Sequence, residues 1–234
     1  MIILAVDTSG PVAGTAILKN TEAVYEAMTV NRFTHSVSMM PMVEEGFQRT
    51  GLTIQDVDLL AVTVGPGSFT GVRIGVSTVK GLAHGANKPC VGVNALEALA
   101  CNIPYFDGVV CPIQDARAGQ VYGAAFAPGK TPVRLLPDEP LKLTEFLEKI
   151  APLGKSFLFV GDGVAVHREA IENILGEKAV FAPAPLCFLR PLNVALLAQK
   201  YQNEAVDYLT LMPLYLRAPQ AERHRLLTEA AHGA

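Results

Sequence analysis

The sequence has no excess of basic charge. Lys and Arg number 19 against 22 Asp and Glu, for a formal net charge of −3. A chain that grips nucleic acid unaided shows a basic excess or stripe, so direct nucleic-acid binding is not expected. No two of the four cysteines, Cys90, Cys101, Cys111 and Cys187, stand in Cys-x-x-Cys spacing. A zinc knuckle is therefore not expected, and the thiols read as small buried apolar groups. The five histidines (His35, His84, His167, His224 and His232) show no metal spacing. There is no Gly-x-Ser-x-Gly elbow and no His-Glu-x-x-His. These absences leave no assigned catalytic residue, metal or cofactor. No charged-then-apolar leader opens the chain and no apolar run reaches spanning length. The expectation is a cytoplasmic protein with no membrane partner.

What is present is a folding composition: half of the 234 residues are hydrophobic and 18% are charged, enough for a substantial core. "MIILAVD" reads as a buried strand, "DTSGP" as a turn, and "VAGTAILKN" as a strand returning in a hairpin. "AVYEAMTV" follows as a third strand. Thr34 is the expected N-cap of a helix over "HSVSMMPMVEEGFQRTG", with Gly51 as its stop and Pro41 as a kink point. "VDLLAVTVG" reads as a strand, the stretch from about Ser68 to Ala86 as a long helix, "PCVGV" as a strand and "NALEALACNI" as a helix. A second set begins near Tyr105. "GVVCPIQDA" and "QVYGAAFAP" flank a polar turn, "LKLTEFLEKIAPLG" is an amphipathic helix, and "SFLFVGDGV" is a strand. Helices over "HREAIENILG" and "RPLNVALLAQKYQNEA" close the pattern. Alternation of strands and helices gives an α/β chain. The expected division is a first lobe at 1–103, a second at 104–188, a return helix and closing segment at 189–222, and a tail at 223–234.

Each lobe has a strand–turn–strand hairpin ending in Asp, at Asp7 and at Asp115. By analogy this duplication is the architecture of the two-lobed actin-like and sugar-kinase-like (ASKHA) group, where such turns face each other across a nucleotide cleft. Fold alone does not fix function.

"VGPGSFTGVRIG", Val64 to Gly75, has the glycine density of a phosphate loop. It matches neither phosphate-binding pattern. A Walker loop needs Gly-x-x-x-x-Gly-Lys, and Lys80 lies well inside the helix. In Gly-x-Gly-x-x-Gly terms, Gly65 and Gly67 fit but Thr70 replaces the third glycine. Backbone amides from Gly67 to Thr70 retain the option of holding an anion at the helix start. The downstream glycines, Gly71, Gly75, Gly81 and Gly85, each cost about 1 kcal/mol in a helix interior. Their small-x-x-x-small pairs suit close approach of another backbone. Val72, Val76, Val79 and Ala83 add an apolar stripe, so this helix is expected to be covered on more than one side. The helix after Thr34 carries Val37, Met40 and Phe47 on one face and Met39, Met42, Val43 and Gly46 on another. Such a Met cluster is either core filler or an adaptable binding surface. Asp7, Asp115 and Asp162 stand in turns, where Asp also occurs for backbone reasons alone.

"LAVDTS", "HSVSMMPMVEEG", "VGPGSFTGVRIGVSTVKGLA", "VGVNALEALA", "DARAGQVYGAAF" and "PLYLRAPQAE" together resemble the TsaB (YeaZ) family, over Met1 to about Glu222. The resemblance implies the two-lobed actin-like fold. It also implies a role in making threonylcarbamoyladenosine at position 37 of ANN-decoding tRNAs. Family members are implied to act as non-catalytic subunits that bind a catalytic paralogue, TsaD, joined by an ATPase, TsaE; tRNA is met only through the complex. The paralogue's metal-binding His-x-x-x-His corresponds here to Ala95 and Leu99, which cannot ligate a metal. Family members pack their first two helices against the partner's. The residues expected on the partner side are Val37, Met39, Met40, Val43, Phe69, Val72, Gly75, Val76 and Val79, some of which must pack on the sheet instead. The same helices suit self-pairing, so a homodimer is expected for the chain alone. The alternative is an ATP-dependent small-molecule kinase or ATPase of the same fold. Its nucleotide or anion contacts would be Asp7, Thr8, Ser9, Gly67, Asp115, Gly161 and Asp162.

Overall fold

The computed structural model describes residues 1–30 and 35–217. The first part of the chain forms strands β1 (Ile2–Asp7), β2 (Ala13–Lys19), β3 (Glu22–Thr29), β4 (Leu59–Gly65) and β5 (Cys90–Asn94). Its helices are α1 (His35–Thr50), α2 (Phe69–Ala86) and α3 (Ala95–Ala100). The second part repeats the order with β6 (Val109–Asp115), β7 (Gln120–Ala127), β8 (Val133–Lys142), α4 (Leu143–Ile150), β9 (Phe157–Val160), α5 (Gly163–Leu175), β10 (Ala179–Phe181) and α6 (Pro191–Lys200).

The strands form two five-stranded sheets, ordered β3-β2-β1-β4-β5 and β10-β9-β6-β7-β8. Position by position the two sheets share one topology. The first three strands of each pair antiparallel, and the last two join in parallel through crossover helices. β1 shows why the sheets are central. Its residues alternate by period two, yet Ile3, Leu4, Ala5 and Val6 are all fully buried. Leu4 and Val6 face an outer layer with Met39, Val43, Val72, Val76 and Val79 of α1 and α2. Ile3 and Ala5 face a middle layer with Leu96 and Leu99 of α3 and Val194 and Leu197 of α6. That middle layer also takes Val110 and Phe126 from the second sheet, so it joins the two lobes. α4 and α5 cover the far side of the second sheet through Phe146, Leu147 and Ile171. α6 returns to pack on β1 and β2.

The helix ends follow local chemistry. Ser68 caps α2, its hydroxyl accepting from the Gly71 amide. Asn94 caps α3 by accepting from the Glu97 amide. α1 ends at Gly51, which takes a left-handed φ of +67°. It runs as a single helix through Pro41. The expected cap at Thr34 and the expected tail at 223–234 lie outside the described residues. Two strands differ from the sequence reading. β8 contains Pro137 and Pro140, which argue against a strand in sequence, but it is an edge strand, where proline is tolerated. β10 is a three-residue edge strand, too short to show alternation.

Candidate functional site

Two surfaces concentrate the unusual sequence features: the cleft between the lobes, and the outer face formed by α1 and α2.

At the cleft, β1 runs into the turn from Asp7 to Pro11. Asp7 is buried, and its Oδ1 accepts from the Ser9 amide at 3.0 Å, from the Ser9 hydroxyl at 2.7 Å and from the Thr63 hydroxyl. Burial raises its pKa, and those hydrogen bonds only partly offset the rise. The Thr8 hydroxyl donates to the Gly71 carbonyl at 2.7 Å. This contact explains the glycines of the sequence's most unusual stretch. A Cβ on Gly67 would overlap the Ser9 carbonyl, and one on Gly71 the Thr8 carbonyl. At Gly75 it would sit 2.6 Å from the Thr8 hydroxyl and 3.2 Å from Val62. The backbone that approaches these glycines is the chain's own first turn. The second lobe uses the same device: a Cβ on Gly161, whose φ is +112°, would overlap the Ile113 carbonyl.

Between the turns lies a cleft of about 650 Å³. Of the residues singled out for nucleotide or anion contact, Ser9, Gly67, Asp115 and Asp162 line it. Asp7, Thr8 and Gly161 do not. Asp7 lies behind, on a separate cavity of about 10 Å³. The amides at the start of α2 are partly used internally, since Ser68 N–H donates to the Ser9 carbonyl at 2.8 Å and Gly71 N–H to the Ser68 hydroxyl at 3.2 Å. The second-lobe wall is acidic. Asp115 accepts from the Arg117 amide at 2.9 Å, and the buried His167 ring lies 3.6 Å from it. Burial, together with the Asp115 charge, pushes the Asp162 carboxyl up to about 6. Sequence reasoning missed Gln114, Arg117, Tyr215 and Arg217, which also line the cleft. Gln114 reads as one polar residue in a strand. Arg117 stands in the polar turn just after Asp115, whereas Tyr215 and Arg217 come to the cleft only through the tertiary fold.

The segment from Asp207 to Arg217 is a strap along α2. Val206 bridges Cys90 on β5. Tyr208 then stacks on His84 with ring centroids 4.5 Å apart, and Lys80 donates to the Leu211 carbonyl at 3.2 Å. Arg73 bonds the Tyr215 hydroxyl at 2.7 Å and lies 3.8 Å above the Phe69 ring. Arg217 reaches the second lobe through the Ala116 carbonyl at 3.1 Å.

The outer face corrects most of the expected partner contacts. Met39, Val43, Val72, Gly75, Val76 and Val79 are buried in the chain's own core. Phe69 is half-buried under Arg73 and Tyr215 at the cleft mouth. Val37 and Met40 alone stand open, 63% and 45% exposed. The periodicity was real, but a helix with small or apolar residues nearly all round does not reveal which side meets its own sheet. The open side of α2 carries Ser77, Gly81 and Gly85, at a spacing of four. A Cβ on Gly81 or Gly85 would have nothing within 4 Å among the described residues. α1 flanks this stripe over β2 and β3, and the strap flanks it from the β5 side. Exposed Leu209 and Met212 stand on that strap.

Ala95 and Leu99 are both buried, facing the middle layer. Among the described residues no three His, Cys, Asp or Glu side chains group as a metal site, and no helix is long and apolar enough to cross a membrane.

Comparison with known proteins places this architecture. The family model for TsaD, tRNA N6-adenosine threonylcarbamoyltransferase, matches residues 29–225. The tRNA threonylcarbamoyladenosine biosynthesis protein TsaB of Bacillus subtilis is 37% identical over 95% of this chain and 96% of its own. The Haemophilus influenzae protein of the same name is 31% identical over 93% of this chain and 94% of its own. Among solved structures, YeaZ from Pseudomonas aeruginosa superposes with a TM-score of 0.75 at 26% identity, covering 92% of this chain and 99% of that one. An inorganic polyphosphate/ATP-glucomannokinase from Arthrobacter, at 12% identity and a TM-score of 0.51 over 85% of this chain and 98% of that one, shares the fold alone. The chain has the two-lobed actin-like fold and belongs to the TsaB family of tRNA threonylcarbamoyladenosine biosynthesis proteins.

Proposed function

We propose that this chain is a non-catalytic subunit that binds and activates a TsaD-type paralogue for N6-threonylcarbamoylation of adenosine 37 in ANN-decoding tRNAs. The observation that carries the reading is the open stripe Ser77, Gly81 and Gly85. Glycine inside a helix costs about 1 kcal/mol relative to alanine. Gly71 and Gly75 recover that cost through the Thr8 turn. A Cβ added at Gly81 or Gly85 meets nothing within 4 Å among the described residues, so close approach of a second backbone is the physical reason for them. Val37 and Met40 on α1 lie exposed on the neighbouring helix and supply apolar contact. The partner in this reading is the TsaD-type paralogue, a TsaE-type ATPase joins the pair, and tRNA is met through the complex. In its absence the same face pairs two copies of the chain.

The buried Ala95 and Leu99, and the net charge of −3, support a supporting role over transfer chemistry or direct tRNA binding. The kinase alternative draws on the fold and on Asp115 and Asp162 at the cleft. It loses Asp7, which is turned to its own turn and away from the cleft. Reconstitution tests the reading. The chain co-elutes with a TsaD homologue, and threonylcarbamoyl transfer to tRNA by that homologue and a TsaE homologue requires it. Full transfer in its absence, or steady ATP turnover by the chain alone, overturns the reading.

A further inference from the structure

The second-lobe wall of the cleft has more acceptors than donors: Gln114, Asp115 and Asp162 line it, and the buried His167 ring lies 3.6 Å from Asp115. Gln114 is 4% exposed, and its Oε1 has no hydrogen-bond partner among the described residues. Asp162 Oδ1 is likewise buried and without a partner among them. Asp115 stands beside them, close enough for its charge to raise the Asp162 pKa. Buried polar atoms are nearly always satisfied, and a like-charged pair is relieved by a cation between its members. This wall therefore calls for a donor-rich, positively charged group. A phosphate ester would meet two carboxylates there.

Cations line the same cleft: Arg117 and Arg217 both belong to its lining. Arg217 spends one donor on the Ala116 carbonyl, and a guanidinium has five. Arg117 is held in place by a turn in which it and Ala118 take left-handed φ values of +63° and +53°. Phe69 and Tyr122 add an aromatic surface to the lining. The lining thus combines acceptors, aromatic surface and cations.

We propose that the cleft binds a free α-amino acid, or a compound with an α-amino-acid head, its ammonium on Gln114, Asp115 and Asp162 and its carboxylate towards Arg117 and Arg217. The ammonium's three donors match the three acceptor side chains of that wall. The cleft volume leaves room for a side chain beyond the head group. This reading of the cleft does not rest on the outer face being a partner surface.

Isothermal titration of the purified full chain with each of the twenty L-amino acids tests the proposal. Each is compared with its deaminated acid and its decarboxylated amine, such as propionate and ethylamine for alanine. At least one amino acid binds one per chain with a Kd of about 1 mM or tighter. Both analogues bind at least ~10-fold more weakly, because each lacks one end of the charge pair. Asp162→Asn, shown by its melting curve to be folded, weakens binding by at least ~10-fold, and Arg117→Ala weakens it several-fold. No heat from any amino acid at about 10 mM overturns the proposal. So does equal binding of the amine, or an Asp162→Asn variant that binds as before.

Discussion

At the residue scale, Asp162 shows how a site can be recognised by what it costs. Its carboxyl titrates at about 6 in the fold, against an ordinary 3.8. The folded chain thus holds that proton more tightly than the unfolded chain. The stabilisation is full below about pH 3.8 and is lost as pH rises through 6. Above that, ionised Asp162 costs up to about 3 kcal/mol, from roughly two units at 1.36 kcal/mol each. Asp162→Asn removes the charge. In the absence of ligand it raises the melting temperature at pH 7.5 by several degrees and leaves it unchanged near pH 4. Equal shifts at both pH values would show that the charge is not the cause. The sequence identified Asp162 as a turn residue in Gly-Asp-Gly but gave no sign of its environment. Burial and the Asp115 charge depend on α5 and β6 meeting. Asp7 was equally visible, yet it is spent on Ser9 and Thr63, a pairing 56 residues apart in sequence.

At the element scale, α2 was legible in extent and ambiguous in orientation. Its cap at Ser68 and its end at Ala86 follow from a hydroxyl, a long periodic run and Asn87, which takes a left-handed φ of +52°. Its two glycine pairs look alike in sequence, and only contact separates them. Gly75 faces Thr8 and Val62, whereas Gly81 faces open space. The two alanine substitutions therefore have opposite signs. Gly75→Ala forces the Thr8 turn away and lowers the melting temperature. Gly81→Ala stiffens the unfolded chain without a clash and adds about 1 kcal/mol, a rise of a few degrees for a chain of this size. Melting curves of the two variants check this, and shifts of the same sign would contradict the assigned face. The buried strands β1, β4 and β6 were legible because apolar runs bounded by turn residues leave few alternatives. β8 was hidden by its prolines, and β10 by its length.

At the scale of the whole molecule, two copies of one topology share a middle layer. Their facing turns make a cleft, while α1 and α2 turn an unfilled face outward. The duplication was readable from the paired Asp-ending hairpins. The strap was not, because Tyr215 on Arg73 and Arg217 on Ala116 join positions more than a hundred residues apart. On the proposed function, partner binding takes place on this outer face. Gly81→Arg tests it most directly, in affinity for the TsaD homologue measured beside a melting curve. A Cβ added at Gly81 meets nothing within 4 Å among the described residues, and arginine is a better helix former than glycine, so the melting temperature stays the same or rises. In the complex the side chain would hold two helices apart and bury a charge without a partner, a penalty of several kcal/mol. Affinity therefore falls by at least ~100-fold, since each ~1.4 kcal/mol is a factor of ten. A folded Gly81→Arg variant that binds the homologue with unchanged affinity would contradict the account.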